Sequence, residues 1–206
     1  MEEQYFYTID QGHKLPHDPF KAIIAPRPIG WISSISKTGI LNLAPYSFFN
    51  AVSDKPPMLI FSSKGKKDSV TNIENSEEFV WNMATRSMAE KMNITSRPVP
   101  ADTDEFDLGR IKTAPSRLVQ PPRVAASPAA MECKLANIIE LKDMHGKSTD
   151  HWLVIGQVIG VHIDQTFLKD GLFDTGAANP ILRAGYLDDY AEARIDTMFK
   201  MDRPKG

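Results

Sequence analysis

Cysteine is nearly absent from this 206-residue chain. The one copy, Cys133, excludes an intramolecular disulfide and cannot alone build a zinc or iron–sulfur site. A reducing cytoplasm is the expected setting. No apolar run approaches the roughly 18 residues of a membrane helix, and the start, Met-Glu-Glu-Gln-Tyr, is acidic where an export signal is basic. Neither a membrane nor export is therefore expected. An excess of one charge is missing as well, with 24 basic residues against 26 acidic ones, so no global field draws nucleic acid to the chain. The histidines (13, 17, 145, 151 and 162) contain no His-x-x-x-His pair, and no metal site is read from them. No Gly-x-Gly-x-x-Gly follows a strand-like run, which argues against a Rossmann domain for a nicotinamide. Without a Gly-x-Ser-x-Gly elbow or a distinct acid pair, acyl-transfer and glycosidase chemistry also lack their residues.

What the chain does have is β-character. Runs at 29–36, 58–63, 79–83, 129–141 and 152–164 are rich in β-branched or aromatic residues, or alternate in polarity, and suffice for a barrel of about six strands. Residues 68–76 and 85–94 read as helices, the second with Ala84, Met88 and Met92 at spacing four. Both are expected to pack outside the barrel. The length suits one domain over residues 1–206. Prolines concentrate between Pro98 and Pro128, marking an excursion expected to fold over a ligand or a second subunit. After Tyr190 the tail alternates Ile195, Thr197, Phe199 and Met201 with Arg194, Asp196, Met198 and Lys200, which reads as an edge strand in need of a partner.

Two segments point to a ligand. From Ile29 to Ser36 the residues alternate as in a strand, Lys37-Thr38-Gly39 supplies a turn, and the run from Ile40 breaks at Pro45. The amides from Leu43 to Asn50 are then expected to be partly free for a planar polar molecule. The second segment, Ser62-Ser63-Lys64-Gly65-Lys66-Lys67-Asp68-Ser69, joins a strand to a helix N-terminus with three lysines and three hydroxyls. A phosphate needs several donors converging in one loop, although a solvated basic loop has the same composition. Asp68 is expected to cap the helix, since a carboxylate on a phosphate would repel it.

These segments carry a resemblance. Pro26-Arg27-Pro28 with Trp31, Asn42-Leu43-Ala44-Pro45-Tyr46-Ser47-Phe48-Phe49, Asp54-Lys55-Pro56-Pro57, Lys67-Asp68-Ser69 with Asn72, Met131-Glu132-Cys133 and Gly160-Val161-His162-Ile163-Asp164 together resemble the flavin reductase-like family of FMN-binding split barrels, in particular its flavoredoxin-like members. The resemblance implies a mainly β fold, a split β-barrel with Greek-key connections and a few peripheral α-helices. It further implies non-covalent FMN, NADH or NADPH as electron donor, a homodimer with flavin near the interface, and a monooxygenase or redox protein as partner. On this reading Ser62, Ser63, Lys67 and Ser69 surround the phosphate, with Asp68 capping the helix beside it. Ala44, Pro45, Tyr46, Ser47 and Asn50 meet the polar edge of the ring. Arg27 and Arg183 are further candidates for phosphate or a ring carbonyl, and Trp31 either stacks on a ring or belongs to the core. A barrel that binds haem or another ligand without reductase activity is the rival reading; it would need an axial ligand in its pocket.

Overall fold

The computed structural model describes residues 4–204; the first three residues of the acidic start lie outside the described residues. Seven strands make one antiparallel sheet: β1 (Gly30–Ile35), β2 (Leu41–Tyr46), β3 (Phe49–Asp54), β4 (Pro57–Lys64), β5 (Glu78–Asn82), β6 (Ala129–Lys142) and β7 (Ser148–Ile163), in the spatial order β2-β1-β5-β6-β7-β4-β3. Short turns join β1 to β2, β3 to β4 and β6 to β7, the first with Gly39 at φ 86°, where a side chain would be strained. The return from β4 to β5 crosses two intervening strands, which gives the barrel its Greek-key character. Where the sequence suggested a broken loop after Ile40, β2 and β3 form instead. Pro45 is tolerated because β2 is an edge strand whose outer side owes no ladder hydrogen bond.

Aromatic rings bring the two edges together. Tyr46 on β2 lies 4.5 Å from Phe61 on β4, and Phe49 on β3 stacks on Trp81 of β5 at 5.8 Å with ring planes 3° apart. A Cβ at Gly30 would lie 2.6 Å from the Phe49 ring, and one at Gly156 would lie 2.3 Å from Phe79, so both close approaches require glycine. Inside, Ile32, Phe61, Phe79, Cys133 and Val154 pack with Val70 and Ile73 from α1 (Asp68–Ser76). Each such side chain contributes roughly 1.5–3 kcal/mol by burial. Burial also raises the Cys133 thiol above its usual range, which leaves it an unreactive apolar group.

A second core forms where Ala84, Met88 and Met92 pack on Trp31, Leu43 and Phe106. The spacing-four stripe thus faces the barrel, on a 3-10 turn (Arg86–Met88) continued by α2 (Ala89–Ile94). Within residues 98–128, Asp104 caps α3 (Glu105–Leu108) by accepting the Phe106 amide at 2.8 Å. Arg27–Pro28, Ile181–Arg183 and Tyr190–Glu192 form a separate three-stranded sheet. The C-terminal tail does not make the expected strand: it takes one 3-10 turn (Ile195–Thr197), with the Arg194 amide bound to Thr197 Oγ1 at 3.2 Å. No helix among the described residues is long and apolar enough to cross a membrane.

Candidate functional site

Three adjoining cavities follow the outer edge of β2. The first, of about 490 Å³, lies between Lys67-Asp68-Ser69 at the start of α1 and the segment 95–99 after α2, with Asn42, Ala44, Pro45, Tyr46 and Glu105 in its walls. Through Pro45, Tyr46 and Ser96 it meets a second of about 320 Å³. Through Ser47, Arg183 and Leu187 that one meets a third of about 610 Å³, which reaches Arg27. The result is a groove of the size that holds a drug-sized ligand.

At its first end the donors come from backbone and cation more than from the hydroxyls the sequence singles out. Lys67 is the N-cap of α1, and Asp68 is its first helical residue; no side chain caps this end. Asp68 therefore does not take the capping role expected of it, because the N-cap position precedes it by one residue. The uncapped amides and the positive end of the helix dipole remain at the cleft wall. Lys66 is committed to Glu74 at 2.6 Å and lies 4.3 Å over the Trp152 ring, whereas Lys67 is exposed at the cleft. Ser69 donates its hydroxyl proton to Asn42 Oδ1 at 2.7 Å, and Ser63 donates to the Gly65 carbonyl at 3.0 Å. These two hydroxyls shape the loop and have no proton left to give a ligand. Ser62, half-buried on β4, lines none of the three cavities.

The middle of the groove is an edge of backbone. The Leu43 amide points outward and donates to Glu105 Oε2 at 3.1 Å. By the alternation of an antiparallel pair, Ala44 and Tyr46 face β1 and give their amides to it. The stretch of free amides expected over 43–50 is thus mostly taken. What faces out is the Pro45 carbonyl, followed by Ser47 where the strand ends. The Tyr46 phenol is held above its usual pKa by burial, with Ser69 and Ser63 hydroxyls beside it as an opposing influence; it stays protonated at neutral pH. Asn50 lies elsewhere: it is exposed on β3 and binds the Ala51 amide with its own Oδ1 at 2.9 Å.

Trp31 is fully buried, and its Nε1 donates to Thr95 Oγ1 at 3.0 Å. Its ring belongs to the core and cannot stack on a ligand. Arg27 and Arg183 meet as direct partners in the small sheet at the groove's far end. Sequence reasoning passed over Arg97, Asn42 and Glu105. Arg97 reaches the first cleft opposite Lys67 only because α2 ends just before it; the usable signal was Arg97-Pro98 behind a predicted helix. Asn42 ties Ser34, Ser69 and Glu105 together, so the motif Asn-Leu-Ala-Pro builds the groove wall before it meets any ligand.

Residues 24–181 match the model of the flavin reductase like domain. The chain belongs to the flavin reductase-like family. Membership carries a flavin-related oxidoreductase function, and it fits the seven-stranded barrel described above. A relative from Aquifex aeolicus with no assigned role is 35% identical over 182 residues, covering 84% of this chain and 89% of its own. Nitrilotriacetate monooxygenase component B from Bacillus cereus superposes with a TM-score of 0.84 at 27% identity, covering 97% of this chain and 100% of that one. Flavoredoxin of Desulfovibrio vulgaris (Miyazaki F) superposes at 0.74 with 20% identity, covering 86% and 90%; at that identity the likeness is one of fold. The groove fits the flavin a family member uses. It offers a cationic helix N-terminus for a phosphate at one end and an acceptor–donor sequence, Pro45 then Ser47, for a polar ring edge beside it. Of the side chains that can ligate haem iron, its first two cavities hold Tyr46, Tyr190 and Met92 and no His or Cys.

Proposed function

We propose that this protein binds FMN in the groove along β2 and passes electrons from NADH or NADPH to a further acceptor, either free flavin or a partner protein. The observation that carries the reading is the adjacency of an uncapped, lysine-bearing helix N-terminus and the outward edge of β2 within one groove. Lys67, Arg97 and the first amides of α1 hold the phosphate. The Pro45 carbonyl accepts from the ring imide, while Ser47 donates to the opposite side of the ring's polar edge. Bound there, FMN supplies the hydride chemistry; the chain supplies position and charge. Asp68 and Glu105 also line this cleft, and their charge weakens retention of a phosphate dianion. That suits a protein that releases reduced flavin to a monooxygenase partner better than one that keeps it.

A homodimer is part of this proposal. Ile159, Val161 and Ile163 recur at every second position of β7 with 37%, 55% and 40% of their surface exposed, an apolar stripe on the outer face of the barrel that a second copy would cover. A cytoplasmic setting completes the reading.

The test starts with the visible spectrum of the purified protein and the identity of any chromophore released on denaturation. Flavin bands with free FMN are expected. Lys67→Ala and Arg97→Ala should each weaken FMN binding by about 1.5–3 kcal/mol, the value of a charge-assisted hydrogen bond. Dissociation constants unchanged in both variants would remove the phosphate assignment.

A further inference from the structure

The far end of the groove holds Arg27 and Arg183, candidates above for phosphate or a ring carbonyl, which lie beyond the residues that the proposed FMN site uses. Arg27 and Arg183 are Cα partners across two antiparallel strands, a position where like charges repel. Neither meets a carboxylate among the described residues. Arg27 Nη1 donates to the carbonyls of Lys21 and Ile24, the latter at 2.7 Å, and Nη2 reaches only the Ala184 carbonyl at 3.5 Å. Its Nε, in a residue only 7% exposed, has no partner among the described residues. Arg183 donates to the carbonyls of Asp189 and Leu187 and lies 4.6 Å over the Tyr190 ring.

The unfilled edge of Arg27 is informative. Nε and Nη2 form the side of a guanidinium that takes a carboxylate or phosphate in two parallel hydrogen bonds. Here one of those donors is orphaned and the other makes a single long bond. Burying a charge in that condition is costly, and burial together with Arg183 already lowers the Arg27 pKa. An oxyanion between the two guanidiniums would cancel the repulsion and accept from Nη2, and a small rotation of the Arg27 side chain would bring the orphaned Nε to it. The cavity they line, about 610 Å³, has room for one, with Lys21 and His17 on its wall. Three aspartates share that wall. Asp18 accepts the Phe20 amide at 2.9 Å and Asp189 the Tyr186 amide at 3.1 Å, so both are held by their own turns, and Asp188 is exposed; their charges remain and offset part of the cationic field at this wall. Ser47 belongs to this cavity and to the middle of the groove alike, so a molecule anchored here reaches the place assigned to the flavin ring.

We propose that Arg27 and Arg183 form an oxyanion site that anchors the electron-exchanging substrate by its phosphate or carboxylate. Its link to electron exchange rests on the flavin reading; the anion site itself does not. The two sources of the oxyanion, a nicotinamide dinucleotide and a carboxylate-bearing acceptor, are separated by titrating 5′-AMP and benzoate into the purified protein by calorimetry at fixed ionic strength. FMN affinity is measured on the same samples. One of the probes is expected to bind the wild type, and Arg183→Gln to weaken it at least tenfold while FMN affinity changes less than twofold. Preference for 5′-AMP assigns the site to the dinucleotide, with KM for NADH or NADPH rising in the variant; preference for benzoate assigns it to the acceptor. If Arg183→Gln does not fold, Arg183→Lys takes its place, keeping the charge but losing the fork, and a several-fold loss is expected. Failure of both probes on the wild type, an unchanged probe affinity in the folded variant, or a loss of FMN equal to the loss of probe overturns the proposal. A protein that binds a probe but never FMN would sink the flavin reading and leave the oxyanion site standing.

Discussion

Two buried glutamates pin the 98–128 excursion to the barrel, and they do so with opposite electrostatics. Glu105 leaves the excursion for the edge of β2, where Asn42 Nδ2 donates to its oxygens at 3.0 and 3.1 Å and the Leu43 amide at 3.1 Å. Glu132 stays on β6 and receives the excursion: Arg117 donates its amide at 2.8 Å, Leu118 at 2.6 Å and Val119 at 3.1 Å, with His162 Nε2 on the remaining lone pair. Burial raises the Glu105 pKa more than its donors lower it. Burial is also the largest single influence on Glu132, yet His162 and the amides of Arg117 and Leu118 together hold its pKa below the ordinary value. The difference teaches that donor number decides whether a buried carboxylate is a clamp or a strained charge. It also separates their tasks, since Glu105 lines the groove and Glu132 does not.

Removing the well-satisfied carboxylate should have the largest effect. Glu132→Gln leaves one carbonyl oxygen where two charged oxygens served three amides and a histidine, and turns an amide NH2 toward donors. A loss of about 3–5 kcal/mol is expected, as for breaking a buried charged pair, read from the urea midpoint at constant m-value. A loss under about 1 kcal/mol would mean the excursion is held by its other contacts, such as the Gln120 amide on Glu78 at 2.7 Å.

Glu105→Gln sharpens the contrast. Its neutral oxygen still accepts from Leu43, and a buried charge disappears, so stability at pH 7 should change by no more than about 1 kcal/mol. The pH dependence is the better readout. With a raised folded pKa, Glu105 contributes stability that is complete below its unfolded value near 4.5 and is lost as pH rises through the folded pKa. Glu132, with a depressed folded pKa, contributes stability present above 4.5 and lost as pH falls through the folded value. Glu105→Gln should therefore flatten the decline on the alkaline side of pH 4.5, and Glu132→Gln should flatten the acid limb. Unaltered profiles in both variants would show that other groups control acid unfolding.

Neither glutamate's role was legible in the sequence, and the reason is physical. Strand runs such as 129–141 and 152–164 announce themselves because alternation and β-branching are local properties, and the Ala84, Met88 and Met92 stripe marks a helix face in the same way. Cys133 and His162 could likewise be assigned structural roles from their strand context. A glutamate's partners, by contrast, are set by tertiary closure: Glu132 binds amides 13 to 15 residues away, and Glu105 meets Asn42 across 63 positions. The groove shows the same limit. Its two principal segments were visible by motif, but the commitment of Ser69 to Asn42, the burial of Trp31 and the arrival of Arg97 depend on how α2 and the excursion seat themselves. The C-terminal alternation misled because period two alone does not make a strand when no neighbour offers a ladder.

The smallest effect should come from exchanging the histidine donor of the Glu132 clamp while keeping the clamp's geometry. His162 bonds Glu132 with Nε2 from the neighbouring strand β7, and a glutamine there can place an amide NH2 on the same oxygen. His162→Gln thus keeps a hydrogen bond to the carboxylate while exchanging a ring donor for an amide, worth a difference of roughly 0.5 kcal/mol. Because His162 is the first of the influences that lower the Glu132 pKa against burial, its loss should also move the acid limb of the stability profile to higher pH. The backbone donors from 117–119 remain, so the clamp itself persists. If the limb stays in place, the three amides alone keep Glu132 ionised, and the contrast with Glu105 reduces to backbone donors against a side-chain amide.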